Sequence, residues 1–221
     1  MELYHALNRG VEKRPLFLDD SDRVRFVHDL YEFNDRKPAG STYYSFEYLD
    51  LRNPDIATRK RDLIVDIHGW CLMDNHYHLL LSERIEGGLT LFLRKLNVGY
   101  ANYFNEKYRR FGTLFQGRTK KILITANPYF LHILNYVHLN PLDLSGSSKH
   151  WRSRNIQDAN LALEILERYR WSSYLDYCNN QNFPSLITKE LFSDVFKDYK
   201  KEISAYLHDI DIAKIQPFLL E

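Results

Sequence analysis

His76-Tyr77-His78 is the densest chemical signal in the chain. In an extended segment, side chains at i and i+2 leave the same face, so two imidazoles at that spacing can share one cation. Two imidazoles alone hold a metal weakly, and a third ligand has to come from elsewhere. The spacing leaves open that these are two strand histidines with no metal. A second arrangement runs through Tyr129, Ile133, Tyr136 and Asn140, which recur at helical intervals along one line. Tyr136 and Asn140 then stand one turn apart. An amide oxygen beside a phenol, both facing a sheet that displays two histidines, would supply an N,N,O ligand set and a nucleophile. Among 16 tyrosines, position alone makes Tyr136 as readily a core residue, with Asn140 a helix end before Pro141. Tyr129 is the rival nucleophile, but the residue four positions on is Ile133, which cannot ligate.

A third feature is a change in charge. Between residues 94 and 121 eight basic residues (Arg94, Lys95, Lys107, Arg109, Arg110, Arg118, Lys120, Lys121) face one acid, Glu106. Six aromatics are interleaved with them: Tyr100, Tyr103, Phe104, Tyr108, Phe111 and Phe115. Cations for phosphates and rings for bases are what a single strand of nucleic acid requires, although a solvated helix face over core aromatics has the same composition. The remaining histidines, His5, His28, His68, His132, His138, His150 and His208, read as packing or surface residues.

These residues need elements to position them. Residues 2–8 read as a strand ended by Arg9-Gly10, and a helix follows with Ser21 as its N-cap and an apolar stripe that stops near Pro38. Residues 38–61 read as an inserted loop or short hairpin. Residues 63–73 and 76–82 form a hairpin about Asp74-Asn75. Thr90 can cap a helix running to about Lys107, residues 114–124 hold a further strand, and Asn127-Pro128 starts a helix that Pro141 stops. The order β-α-β-β-α-β predicts an α+β, ferredoxin-like antiparallel sheet with two helices on one face, an added helix carrying Tyr136, and a helical C-terminal extension. The expected division is a catalytic unit at 1–145 and an extension at 146–221, with helices at 158–168 and 188–208 and an aromatic segment at 171–177.

Composition narrows the class. The chain has 221 residues, 44% hydrophobic and 14% aromatic, enough for a buried core, and its formal net charge is +1. It lacks an apolar run of the roughly 18 to 20 residues that a membrane span needs, and its N-terminus lacks a signal-peptide pattern, so a cytoplasmic protein is expected. Cys71 and Cys178 lie far apart, which supports neither a disulfide framework nor a zinc ribbon.

The segments YHALNRGVEKRPLFLDD (4–20), HGWCLMDNHYHLLL (68–81), YFNEKYRRFGTLFQGRTKKILI (103–124), YFLHILNYVHLNPL (129–142) and WSSYLDY (171–177) together resemble the single-tyrosine HUH transposases, in particular the REP-associated tyrosine transposases. The resemblance implies that His76 and His78 bind a divalent ion, Mg²⁺ or Mn²⁺, with Asn140 at the third-ligand position, and that Tyr136 attacks a DNA phosphodiester. It implies a 5′-phosphotyrosyl link and a 3′-hydroxyl that can rejoin strands, on single-stranded DNA with a hairpin. Arg94, Lys95, Arg109, Arg110, Arg118, Lys120 and Lys121 are the expected backbone contacts, and relatives include both dimers and monomers. The same fold admits a catalytically silent nucleic-acid binder, and the histidine pair admits a metal-dependent hydrolase that does not need Tyr136.

Overall fold

The computed structural model describes residues 1–38, 61–125, 127–146, 151–153, 156 and 158–208. The strands β1 (Leu3–Arg9), β2 (Val65–Met73), β3 (His76–Glu83) and β4 (Lys120–Ile124) form one antiparallel sheet in the order β2-β3-β1-β4. Helix α1 (Asp20–Glu32) lies between β1 and β2 in sequence, and α2 (Gly88–Lys107) between β3 and β4. The expected β-α-β-β-α-β sheet is therefore present.

Alternation along the strands gives the sheet two apolar faces. On one, Ala6, Ile67, Trp70, Leu72, Tyr77 and Leu79 pack with Phe26, Val27 and Leu30 of α1 and Phe92, Leu96 and Tyr100 of α2. On the other, Leu3, Cys71, Met73, Leu80 and Ile124 meet Ile133, Leu134, Tyr136 and Val137 of α3 (Asn127–Leu139). The second core also takes in Ala162 and Leu166 of α4 (Ala159–Arg168), Tyr174 and Tyr177 of α5 (Tyr174–Tyr177), Phe192 of α6 (Glu190–Ser193), and Tyr199 and Ile203 of α7 (Tyr199–His208). A slip in the β2–β3 register falls between Ile67 and Gly69. There α3 comes so near the sheet that a Cβ on Gly69 would stand 2.9 Å from Leu134 Cδ1. This close approach sets the height of α3, and hence of Tyr136, above the strands.

Several boundaries differ from expectation for local reasons. Asp19, rather than Ser21, caps α1, because its carboxylate accepts from the Asp22 N–H at 2.9 Å. Helix α2 begins after Gly87, whose φ of 70° turns the chain, and Thr90 lies within its first turn. The strand expected over 114–124 shrinks to Lys120–Ile124, since Gly117 adopts φ 75° and Phe115 makes an isolated bridge to Gly10. The tail helix breaks into α6 and α7, as the Asp198 carboxylate accepts from the Lys201 N–H and starts a new helix. The insertion at 38–61 falls almost wholly outside the described residues.

Candidate active site

Residues opposite one another in an antiparallel ladder share a face. Arg9 stands opposite His76, Leu7 opposite His78, and His5 opposite Leu80. All of them point to the α3 side of the sheet. The imidazoles of His76 and His78 lie 4.9 Å apart, centroid to centroid, at 79°. His5 stacks on His78 at 5.1 Å and 17°, with His5 Nε2 2.9 Å from His78 Nδ1. His76 Nδ1 lies 2.7 Å from Asn75 Oδ1. The carbonyl oxygen of an amide only accepts, so Nδ1 of His76 is the donor, and in the neutral ring Nε2 is the lone-pair atom. In the tautomer where His78 Nδ1–H donates to His5, Nε2 of His78 is likewise the lone-pair atom. Asn75 and His5 thus each hold one of the two imidazoles through its Nδ1. Sequence reading set His5 aside, because nothing in a single chain reveals which residue of β1 faces His78.

Tyr136 comes to the same place from α3. Its ring meets His78 edge-on at 5.8 Å and His5 at 5.9 Å. It has 0% exposure. Trp151, 5.8 Å away, and the guanidinium of Arg152, 5.6 Å from the ring centroid, cover its outer side. Asp143 holds this cover, accepting from Trp151 Nε1 at 2.8 Å and pairing with Arg152. Asn140 is also drawn in: its Nδ2 donates to the Tyr136 carbonyl at 2.9 Å, and its Oδ1 accepts from Arg152 Nη2 at 2.7 Å. An amide oxygen facing a guanidinium is turned to a cation already. Among the described residues no group of three His, Cys, Asp or Glu is arranged to hold a metal ion. Two imidazoles on one face are the nitrogen donors from which a cation would draw, and the Asn140 oxygen is engaged by Arg152. Tyr129 begins α3, and its side chain lies outside the described residues.

The basic segment divides. Tyr100, Phe104 and Phe115 are core residues, and Tyr103 and Tyr108 are partly buried and hydrogen-bonded to Asp22. Phe111 is 96% exposed. It sits on a tip fixed by Asn105, whose Nδ2 donates to the Gly112 carbonyl at 3.0 Å while its Oδ1 accepts from Arg110 Nη1 at 2.9 Å. Arg109 adopts φ 50° beside it. Partial desolvation, and then the charge of Arg14, lower the Arg110 pKa from its usual value. Lys120 pairs in register with Leu7 and so faces the histidines, whereas Lys121 pairs with Ala6, faces the other side and donates to Thr90. Arg94 and Lys95 lie on α2, across the sheet from α3, and Lys95 donates to the Asp35 carbonyl. The structure therefore brings Lys120 to the histidine face and gathers Arg109, Arg110 and Phe111 at a tip; it leaves Arg94, Lys95 and Lys121 elsewhere. Arg118 is exposed between the two groups.

Among the described residues no helix is long and apolar enough to cross a membrane. No family model matches the chain, and no curated protein matches it. Among solved structures it is similar to a REP-associated tyrosine transposase bound to a REP hairpin, at 10% identity and a TM-score of 0.50, with 86% of each chain covered. Likeness at that identity concerns the backbone, an α+β architecture with a four-stranded antiparallel sheet and several helices: this chain has the fold of a REP-associated tyrosine transposase.

Proposed function

We propose that the chain is a transposase-like enzyme that nicks and rejoins single-stranded DNA beside a hairpin, with Tyr136 as nucleophile. The observation that carries this reading is the meeting of Tyr136 with the His76–His78 pair, 5.8 Å and 4.9 Å between ring centroids, on one face of this sheet. The Tyr136 phenolic oxygen attacks the phosphorus, the bond to the 3′ oxygen breaks, and the phenolic proton is made up on the departing 3′-hydroxyl. The product is a 5′-phosphotyrosyl link. Its reversal by another 3′-hydroxyl rejoins strands with no external energy source. His76 and His78 would hold a divalent ion through Nε2, Mg²⁺ or Mn²⁺ in this reading, and such an ion supplies charge stabilisation to the phosphate in flight. Asn75 orients His76 so that Nε2 carries the lone pair, and His5 does the same for His78 in the tautomer where it accepts from His78 Nδ1–H. Arg109, Arg110, Arg118 and Lys120 bind backbone phosphates, and Phe111 stacks on an unpaired base.

The test is a denaturing gel after incubation with Mn²⁺ and a labelled single strand containing a hairpin. A protein–DNA adduct is expected from the native chain, none from Tyr136→Phe, and a strongly reduced yield from His76→Ala. Cleavage without adduct, retained in Tyr136→Phe, would mark a metal-dependent hydrolase instead. A second reading, a catalytically silent hairpin binder, draws on the complete burial of Tyr136 beneath Trp151 and Arg152. Binding with no cleavage at any metal concentration would establish it.

A further inference from the structure

Arg9 has no assigned task, and its surroundings give it one. It is the last residue of β1 and stands opposite His76 in the ladder, so its side chain leaves the sheet on the face that carries both histidines. Three hydrogen bonds hold its backbone: its N–H donates to Asn8 Oδ1 at 2.9 Å, its carbonyl accepts from the Gln116 N–H at 2.7 Å, and the next N–H, of Gly10, donates to the Asn75 carbonyl at 2.8 Å. Asn75 is the residue whose side chain orients His76. One short segment therefore fixes the Arg9 guanidinium and the His76 imidazole relative to each other.

The guanidinium itself makes no ion pair among the described residues, and its Nε–H is buried without an acceptor. The nearby carboxylate of Asp74 is taken by Arg23 at 2.9 Å. An unpaired guanidinium N–H withdrawn from water is costly, and a fork of planar donors is satisfied best by a phosphate, which can accept two parallel hydrogen bonds. Arg14, whose Cγ would stand 3.0 Å from a Cβ on Gly10, adds positive charge beside this segment.

We infer that Arg9 is a phosphate-binding residue of the site, which grips one backbone phosphate of the unpaired strand next to His76. This rests on the reading that the substrate is a nucleic-acid strand, but it does not require that the strand be cut. Its measure is the coupling between Arg9 and one phosphate. A DNA hairpin with an unpaired flank of about ten nucleotides is made as a series in which each flank phosphate in turn is a neutral methylphosphonate. Binding is measured for the native chain, Arg9→Gln and Arg9→Lys, with thermal melting of each protein alongside. For the native chain one linkage should lose about tenfold in affinity when neutralised. Arg9→Gln should bind the all-phosphate strand about tenfold more weakly and be indifferent to that linkage, with Arg9→Lys between the two. Equal sensitivity of all three proteins at every linkage would overturn the inference, as would failure of the native chain to bind any strand. Coupling without an adduct in the gel assay would leave Arg9 in place and remove the proposed chemistry; an adduct without coupling would do the reverse.

Discussion

Replacing His138 with glutamine should change how stability depends on pH in a way the structure specifies. His138 lies two residues beyond Tyr136 on α3 and is wholly buried. Its Nδ1 lies 2.7 Å from the Tyr199 hydroxyl of α7 and its Nε2 2.7 Å from Ser173 Oγ, which also accepts from the Trp70 N–H of β2. One imidazole thus ties α3 to the sheet and to the C-terminal helices. Losing two buried hydrogen bonds should lower stability by about 2 to 3 kcal/mol at pH 7. Burial pushes the His138 pKa down to about 3. The unfolded chain takes up the proton near pH 6.5 while the folded one refuses it, so this contribution is intact above pH 6.5. It is lost as pH falls, at about 1.4 kcal/mol per unit until the folded group itself titrates. His28, pushed down to about 4 by burial, acts in the same sense, and Asp176, raised to about 6 by burial, in the opposite one, but both are present in native and variant chains and cancel in the difference. Urea melts at pH 7, 6 and 5 should therefore show the native chain's lead over His138→Gln shrinking by about 2 kcal/mol between pH 7 and 5. A lead that stays constant over this range would refute the assignment of His138 as a neutral, buried tether.

Two further outcomes concern the site. Phe111→Ala should weaken binding of an unpaired strand by about 1 to 3 kcal/mol in fluorescence anisotropy while leaving the melting temperature unchanged, because a ring 96% exposed contributes nothing to the core. Asp143→Ala removes the anchor of Trp151 and Arg152; the ion pair is partly exposed and worth under about 1 kcal/mol to the fold, yet adduct formation should become severalfold faster once Tyr136 is less tightly covered. A rate equal to or below that of the native chain would mean that the cover does not limit access.

What the sequence disclosed depended on the range of the interaction. The hairpin at Asp74-Asn75, the periodicity of α2 and the start of α3 at Asn127-Pro128 are set within a few residues, and the structure has them close to where the pattern puts them. The order β-α-β-β-α-β then admits few sheet topologies. The misses also have local causes that simple patterns hide: at α1 the cap falls to Asp19, two residues before Ser21, because the Asp19 carboxylate reaches the Asp22 N–H, and at the tail a single aspartate, Asp198, restarts a helix.

The site was legible by a different measure. A pair such as His76 and His78 is visible because it repeats at the period of its own strand, but His5 and Arg9 acquire meaning only through register. Had β1 slipped by one residue against β3, His5 and Arg9 would point into the core under α1 and α2, and Ala6 and Asn8 would face the histidines. Nothing in residues 3–9 alone distinguishes these cases; the choice is made by the apolar face that Ala6 must bury and by the bridge between Gly10 and Phe115. The fate of Asn140 follows the same logic. Its spacing from Tyr136 put it one helical turn on, and the direction of its amide is set by Arg152, twelve residues further, whose guanidinium donates to its oxygen. Covalent spacing defines which side chains are able to meet, and competition among charged neighbours decides which of them do.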